Sequence, residues 1–389
     1  MGLSRESAAY DTIVVGLGAM GSATAYHLAA RGQRVLGLEQ FIPGHTLGSS
    51  HGDSRIIREQ YFEHPSYVPL VQRAYALWRA LAERSRAPLM TIHGGLMIGP
   101  PDGPVVAGTI RSAIEHGLPH EVLTPGQVHA RFPAFDPPAH VVAVFDPHAG
   151  ILDPDACNRA HVTAALEEGA EISFGEPMIE WTANEDEVRV RTEAGEYRAT
   201  NLVLTTGGWT RDILRDLDLP LVVERQVVFW FDVDRSKTEY ARDRFPIYAY
   251  QHAPEAFCYG FPRMMRGTKA AIMHGGERSS SPERVRRTVA PEEVDALRAA
   301  LRPVLPELSR APVREASVCL FTNTPDNDFL VDWHPRHGRV LISSPCSGHG
   351  FKFASALGEA HAQMIIDGKS ALDLAPFRLS RFQSPAFGV

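Results

Sequence analysis

The chain has 389 residues, which at roughly 150 residues per domain is material for two or three domains and excludes a small disulfide-stapled scaffold. Hydrophobic residues make up 44% and charged residues 22%, so burial can offset chain entropy and a disordered chain is excluded. Lys plus Arg total 39 against 46 Asp plus Glu, a formal charge of −7, so the overall field repels nucleic acid and anionic lipid and any anion must meet a local cluster of positive groups. No run approaches the roughly 18 apolar residues that span a bilayer, and Met1 to Tyr10 lack the basic-then-apolar pattern of a secretion leader. A cytoplasmic protein with no nucleic-acid or membrane partner is expected. Four cysteines, Cys157, Cys258, Cys319 and Cys346, include no CxxC pair and indicate neither a zinc site nor a disulfide framework.

Asp11 to Glu39 reads as one βαβ unit. The β-branched run Ile13 to Val15 leads into Gly16, Gly18 and Gly21 of a GxGxxG turn, an alanine-rich helix reaches Ala30, and the apolar run Val35 to Leu38 ends in Glu39. Gly16 permits the tight turn, Gly18 lets the backbone approach a pyrophosphate, and Gly21 lets the helix pack on the sheet. Glu39 stands where a carboxylate accepts ribose hydroxyls and repels a 2′-phosphate. A dinucleotide site is expected, with NADP disfavoured and NAD against FAD left open. In the segment His51 to Arg58, Arg55 and Arg58 are three apart, on one face if the segment is helical, or else paired with Asp53.

A helix is expected over about Tyr67 to Glu83, and another from Pro154, capped by Asp153 and ended by Gly169, before a strand Glu171 to Phe174. Val188 to Thr192 and Glu196 to Thr200 read as a hairpin, and Leu202 to Thr205 as a strand entering the turn at Gly207 and Gly208. Met90 to Val144 and Val222 to Met273 read as strand-like segments broken by Pro and Gly, and Pro291 to Leu305 as an amphipathic helix. Near the C-terminus a strand Leu341 to Ser344, a turn through Gly348 and Gly350 and a helix Ala354 to His361 aim backbone N–H groups and a helix dipole beyond the strand. That arrangement suits a group that becomes anionic during turnover. The expected fold class is α/β (α+β mixed), a Rossmann-like domain of residues 1–90, 150–220 and 320–385 interleaved with a substrate domain of residues 91–149 and 221–319 on a mixed β-sheet.

The glycine fingerprint with Glu39, the runs SSHGDSRIIR (Ser49 to Arg58), YGFP (Tyr259 to Pro262) and VCLFTNTPDNDFLVD (Val318 to Asp332), and SGHGFKF (Ser347 to Phe353) together resemble, in order and over nearly the whole chain, the monomeric sarcosine oxidase family. That family includes N-methyltryptophan oxidase, pipecolate oxidase and fructosyl amino acid oxidases. The resemblance implies FAD rather than NAD, joined through its 8α-methyl to the cysteine of a V-C-x-[YF]-T segment, here Cys319, with Cys346 as competitor and Cys157 and Cys258 as packing residues. It implies His51 and Arg55 beside the isoalloxazine ring, Arg58 and Lys352 on the substrate carboxylate, Tyr259 and His274 in the substrate pocket, and Gly348, Gly350 and Lys352 among the cofactor contacts. The implied activity is oxidation of a secondary amine, an N-methyl or cyclic amino acid such as sarcosine, to an imine that hydrolyses, with electrons passed to O2 to give H2O2. The implied partners are an amino acid and O2 or another acceptor, and the implied state is a monomer.

Two departures qualify the resemblance. Family members carry a lysine four residues before the pocket histidine, where it contacts flavin N5 through water and promotes reaction with oxygen; here Lys269 and His274 are five apart. Because one residue of shift flips a strand side chain to the other face, either a β-bulge restores Lys269 to the flavin or Ala270 takes its place and the enzyme is a dehydrogenase with poor oxygen reactivity. The second departure is Phe321 where some relatives have Tyr. Competing readings are a primary-amine or D-amino-acid oxidase with non-covalent FAD, and a non-catalytic flavoprotein or NAD-binding regulatory module that kept the fold.

Overall fold

The computed structural model describes residues 9–383, so most of the leader reading at Met1 to Tyr10 and the last residues of the 320–385 segment fall outside the described residues. Ala9–Val15 lies between Val35–Glu39 and Glu196–Leu204, all parallel; Glu171–Phe174 adds beyond Val35–Glu39, and His337–Ser344 beyond Glu196–Leu204. The buried β-branched run Ile13 to Val15 is the centre of this sheet, as expected of strands covered on both faces. Helices Ala19–Ala29, Pro154–Glu167 and Ala354–Asp367 cover it, with Leu28, Ala165 and Ala362 packed on Val14, Val203 and Leu341. The cap reading holds in detail: Asp153 accepts a hydrogen bond from Ala156 N at 2.9 Å, with Pro154 at the first helical position.

Two expectations about local structure change. Glu196–Leu204 is one strand, not two, pairing antiparallel with Val188–Arg191 by its first half and parallel with His337–Ser344 by its second. The 90–144 segment is not strand-like throughout, because Pro104–Glu115 and Pro125–Arg131 are helices. Each has Pro in its first turn, and Thr124 and Gln127 form a reciprocal capping box around the second, start signals that outweigh the β-branched residues inside.

The second sheet has nine strands around Val222–Phe231, which pairs along its length with Val313–Asn323 and on its other side with Gly267–Met273, followed by Ala256–Met264, Ile247–Ala253 and Gly95–Gly99. Alternation divides its side chains. Phe229, Phe231, Tyr248 and Ala270 pack with Leu297 and Leu301 of helix Pro291–Leu301, whereas Val228, Tyr259, Lys269 and Met273 face a cavity. Among the described residues no helix is long and apolar enough to cross a membrane.

At Gly21 a Cβ would lie 1.8 Å from Gly16 O and 2.5 Å from Thr205 Oγ1, so no side chain fits between helix and turn. Gly21→Ala is therefore expected to displace the turn and yield protein without flavin absorbance; a yellow preparation of wild-type flavin content would show that the turn does not hold the dinucleotide.

Candidate active site

One cavity of about 590 Å³ is lined by the glycine turn, by the segment 48–63, by the second sheet and by the turn through Gly348. Gly16, at φ +87°, leaves the first strand with its N–H on Leu38 O at 2.8 Å. Glu39 is buried, and its two carboxylate oxygens accept from Leu17 N at 2.7 Å and Phe41 N at 3.0 Å. A carboxylate so placed holds the turn and keeps lone pairs for ribose hydroxyls. Gly18 lines the cavity, and Ser50 Oγ accepts from Ala19 N at 3.2 Å beside it. A bare glycine backbone at a helix start, with a buried acid at the end of the next strand, fits a pyrophosphate and a ribose.

Arg55 and Arg58 are not on a helix. Arg55–Ile57 is a short strand paired with Gly150–Leu152, and Asp53 pairs with neither arginine but accepts from Trp230 Nε1 at 3.2 Å and lies 4.0 Å from Arg266 Nη1. Arg55 is held by Ser54 O at 2.8 Å and Ser49 O at 2.6 Å, with Nη2 3.7 Å from Cys319 Sγ. Cys319, on Val313–Asn323, lines the cavity and is 6% exposed. Burial pushes its thiol up, but the neighbouring His51 imidazole and the charges of Arg55 and Lys269 outweigh burial and bring it down to about 6. Cys346 lines the same cavity without such neighbours, and burial raises its thiol to about 11. Cys157 and Cys258 are fully buried and lie off the cavity lining.

Arg58 and Lys352 flank the ring of Tyr61, the guanidinium 4.2 Å and the ammonium 5.1 Å from its centroid. Arg58 is also 4.1 Å from the Phe62 ring, and its Nη2 bonds Glu63 Oε2 at 2.5 Å. Lys352 Nζ donates to His349 O at 2.7 Å and Tyr61 Oη at 3.3 Å. Burial and the charge of Arg58 lower the Lys352 ammonium to about 7, against the opposing pull of Glu63. Glu63 and Tyr61 were not legible as site residues; the sole sequence signal is a carboxylate five residues beyond Arg58. The turn from Gly348 to Lys352 is tightly built: at Gly348 a Cβ would lie 2.4 Å from Met273 Cε and 2.7 Å from Phe321 Cε2.

The spacing departure resolves in an unexpected way. Gly267–Met273 runs regularly against Val222–Phe231, with Lys269 opposite Trp230 and Ala270 opposite Phe229. Lys269 faces the cavity without a bulge in its own strand, and Ala270 packs into the opposite core. It is the histidine that is displaced. Met273, four residues after Lys269, lines the cavity on the same face, whereas His274 has left the strand at φ +62°, lies off the lining and turns its Nδ1 to Glu224 Oε2 at 3.4 Å. The expectation that His274 lines the pocket is corrected accordingly. Tyr259 does line it, opposite Ala271. Lys269 Nζ is held by Gly52 O at 2.7 Å and by Ser54 O and Oγ at 3.1 and 3.2 Å, and burial together with the Arg55 charge lowers its ammonium to about 7.

A family model described as FAD dependent oxidoreductase matches residues 11–364. The chain belongs to this family. Monomeric sarcosine oxidase of Streptomyces avermitilis is 40% identical over 375 residues, covering 95% of this chain and 97% of that one. N-methyl-L-tryptophan oxidase of Yersinia pestis is 35% identical over 375 residues, covering 96% and 100%. Among solved structures NikD, an amino acid oxidase essential for nikkomycin biosynthesis, superposes with a TM-score of 0.82 at 25% identity, covering 95% of this chain and 97% of that one. This FAD-dependent oxidoreductase brings its glycine turn and Glu39 to the lining of one cavity.

Proposed function

We propose that this FAD-dependent oxidoreductase oxidises the secondary amine of a sarcosine-like N-methyl or cyclic amino acid, and that Cys319 holds the flavin covalently as an 8α-S-cysteinyl group. The observation that carries the reading is a thiol near 6 sharing one cavity with a dinucleotide cradle and with two buried cations on one tyrosine ring. Segments 1–90, 150–220 and 320–385 hold the cofactor, and segments 91–149 and 221–319 roof the amine; the enzyme works as a monomer in the cytoplasm, with O2 as acceptor and H2O2 as product. When bound, the flavin supplies a two-electron acceptor for the C–H bond next to nitrogen. Cys319 Sγ would hold the flavin at its 8α-carbon, with Arg55 and Lys269 favouring the thiolate that such attachment requires.

The residues of the chain bind, orient and exclude water. Arg58 and Lys352 take the substrate carboxylate, Arg58 in a bidentate manner, and the carboxylate displaces Glu63 from the guanidinium. An ammonium among Arg55, Arg58 and Lys352 is disfavoured, so the substrate nitrogen sheds its proton and keeps the lone pair that drives hydride loss. Met273, Phe321 and Tyr259 line the same cavity.

Lys352→Ala is expected to raise KM by roughly 30-fold or more with FAD still bound, since truncating one partner of a buried charge pair costs about 2–5 kcal/mol. Arg58→Ala should raise KM further, because it also leaves the Glu63 carboxylate facing the substrate; Arg58→Ala with Glu63→Ala recovers that extra loss. Steady-state kinetics with sarcosine and other N-methyl amino acids check this, and an unchanged KM in both single variants removes the clamp.

A further inference from the structure

The cavity wall carries a polar feature that neither the cofactor cradle nor the cation pair uses. Gln226, on Val222–Phe231 opposite Cys319, lines the cavity and is 4% exposed. Its Nε2 donates to Glu224 Oε1 at 2.6 Å. A carboxylate only accepts, so this bond fixes which end of the amide is nitrogen and turns Oε1 the other way. Among the described residues that amide nitrogen makes the side chain's hydrogen bond and none reaches the oxygen.

Glu224, itself 3% exposed, is anchored on all sides: Gly276 N donates to it at 2.9 Å, Asn323 Nδ2 donates to Oε2, and His274 Nδ1 lies 3.4 Å away. Burial pushes its carboxyl up, but these donors and the His274 charge hold it below the usual carboxylate range, so it is an anion behind the Gln226 amide. Val228, Met273 and Phe321, which line the same cavity, carry no side-chain donor. The turn that carries Lys352 touches this wall, since Gly348 abuts Met273 and Phe321, and Phe321 is the register partner of Glu224. The acceptor and the cation pair thus line one cavity, on a wall and a turn that meet at Gly348.

We infer that Gln226 determines specificity: its Oε1 accepts a hydrogen bond from the substrate side chain, and the preferred substrate is an N-substituted amino acid whose side chain ends in a donor, not in an apolar or anionic group. The inference rests on the amine-oxidation reading. A side chain lacking the donor strands a desolvated acceptor, and an anionic one also meets the field of Glu224.

The test is anaerobic flavin reduction of the holoenzyme by N-methylglutamine, its anionic isostere N-methylglutamate, and the apolar N-methylleucine. The expected result is a second-order rate constant of flavin reduction by N-methylglutamine at least about tenfold above both others. Gln226→Leu should bring the glutamine-to-leucine ratio close to one with flavin content unchanged. Glu224→Gln, which frees the Gln226 amide to turn over while leaving it in place, should lower the same ratio, and it carries the test if Gln226→Leu does not accumulate as folded protein. Equal reduction by all three compounds, or a ratio unmoved by these substitutions, overturns the role of Gln226 and leaves amine oxidation standing. Failure of every N-methyl amino acid, sarcosine included, to reduce the flavin overturns both.

Discussion

Cys319→Ala is expected to convert a flavin that stays with the acid-precipitated protein into one that is released wholly to the supernatant. Thioether formation needs a thiolate, and four cysteines compete for the role. At pH 7 a thiol near 6 is about ten to one ionised. The Cys346 thiol, near 11, is almost entirely protonated although it lines the same cavity, and Cys157 and Cys258 are buried away from it. No second cysteine should rescue attachment. The glycine turn and Glu39 are untouched by the substitution, so the variant should still bind FAD and remain yellow before precipitation. The sign of the pH dependence follows from the same group: the thiolate persists above about 6 and is lost below it, so covalent incorporation into apoprotein should fall about tenfold per pH unit below that value. His51→Asn and Arg55→Met remove stabilising neighbours and should move the threshold upward. A yellow pellet from Cys319→Ala would give the tether to another residue, and a yellow supernatant from the wild type would favour the reading with non-covalent FAD.

The glycine turn and its acid were legible because their parts are local: Gly16, Gly18, Gly21 and Glu39 lie within one βαβ unit, and each glycine has a backbone reason to be there. The segment around Arg55 and Arg58 was legible as a positive cluster but not as a strand, since Arg55–Ile57 is held by pairing with residues 150–152, about a hundred positions away. Glu63 and Tyr61 are close to Arg58 in the chain, but no helical or strand period marks the stretch after Ile57, so nothing shows that they turn back on the guanidinium; Gln226 stands beside Cys319 only through the register of Val222–Phe231 on Val313–Asn323. The Lys269 and His274 interval shows the limit most clearly. A count of five residues says that one side chain must leave the shared face, and it does not say which. The structure keeps Lys269, because its ammonium finds three acceptors at Gly52 and Ser54, and releases His274 at the strand end, where a left-handed turn hands it to Glu224. Met273 then fills the vacated wall.

Lys269→Met should separate the two halves of the catalytic cycle. The substitution keeps the length of the side chain and removes its charge, while Arg58 and Lys352 keep their own contacts, so anaerobic reduction by substrate should persist within a fewfold. Reduction of oxygen develops negative charge, and a preorganised buried cation facing that charge is worth about 10²–10³ in rate. Reoxidation on admission of air should therefore slow by that factor. The wild-type pH profile supplies an independent check. The Lys269 ammonium titrates near 7, so the charge is present below that value and disappears as pH rises through it. Reoxidation should accordingly be fast on the acid side and decline above about pH 7, and the variant should show no such decline. The reductive half runs the other way with pH, since it needs the free amine, and the two limbs together should give overall turnover a maximum between them. If Lys269→Met reoxidises in air as fast as the wild type, the lysine is not the oxygen-activating group. If the wild type itself is bleached by substrate and recovers colour only with an artificial acceptor, the chain is an amine dehydrogenase, and the cation that Lys269 buries beside Arg55 serves Cys319 rather than oxygen.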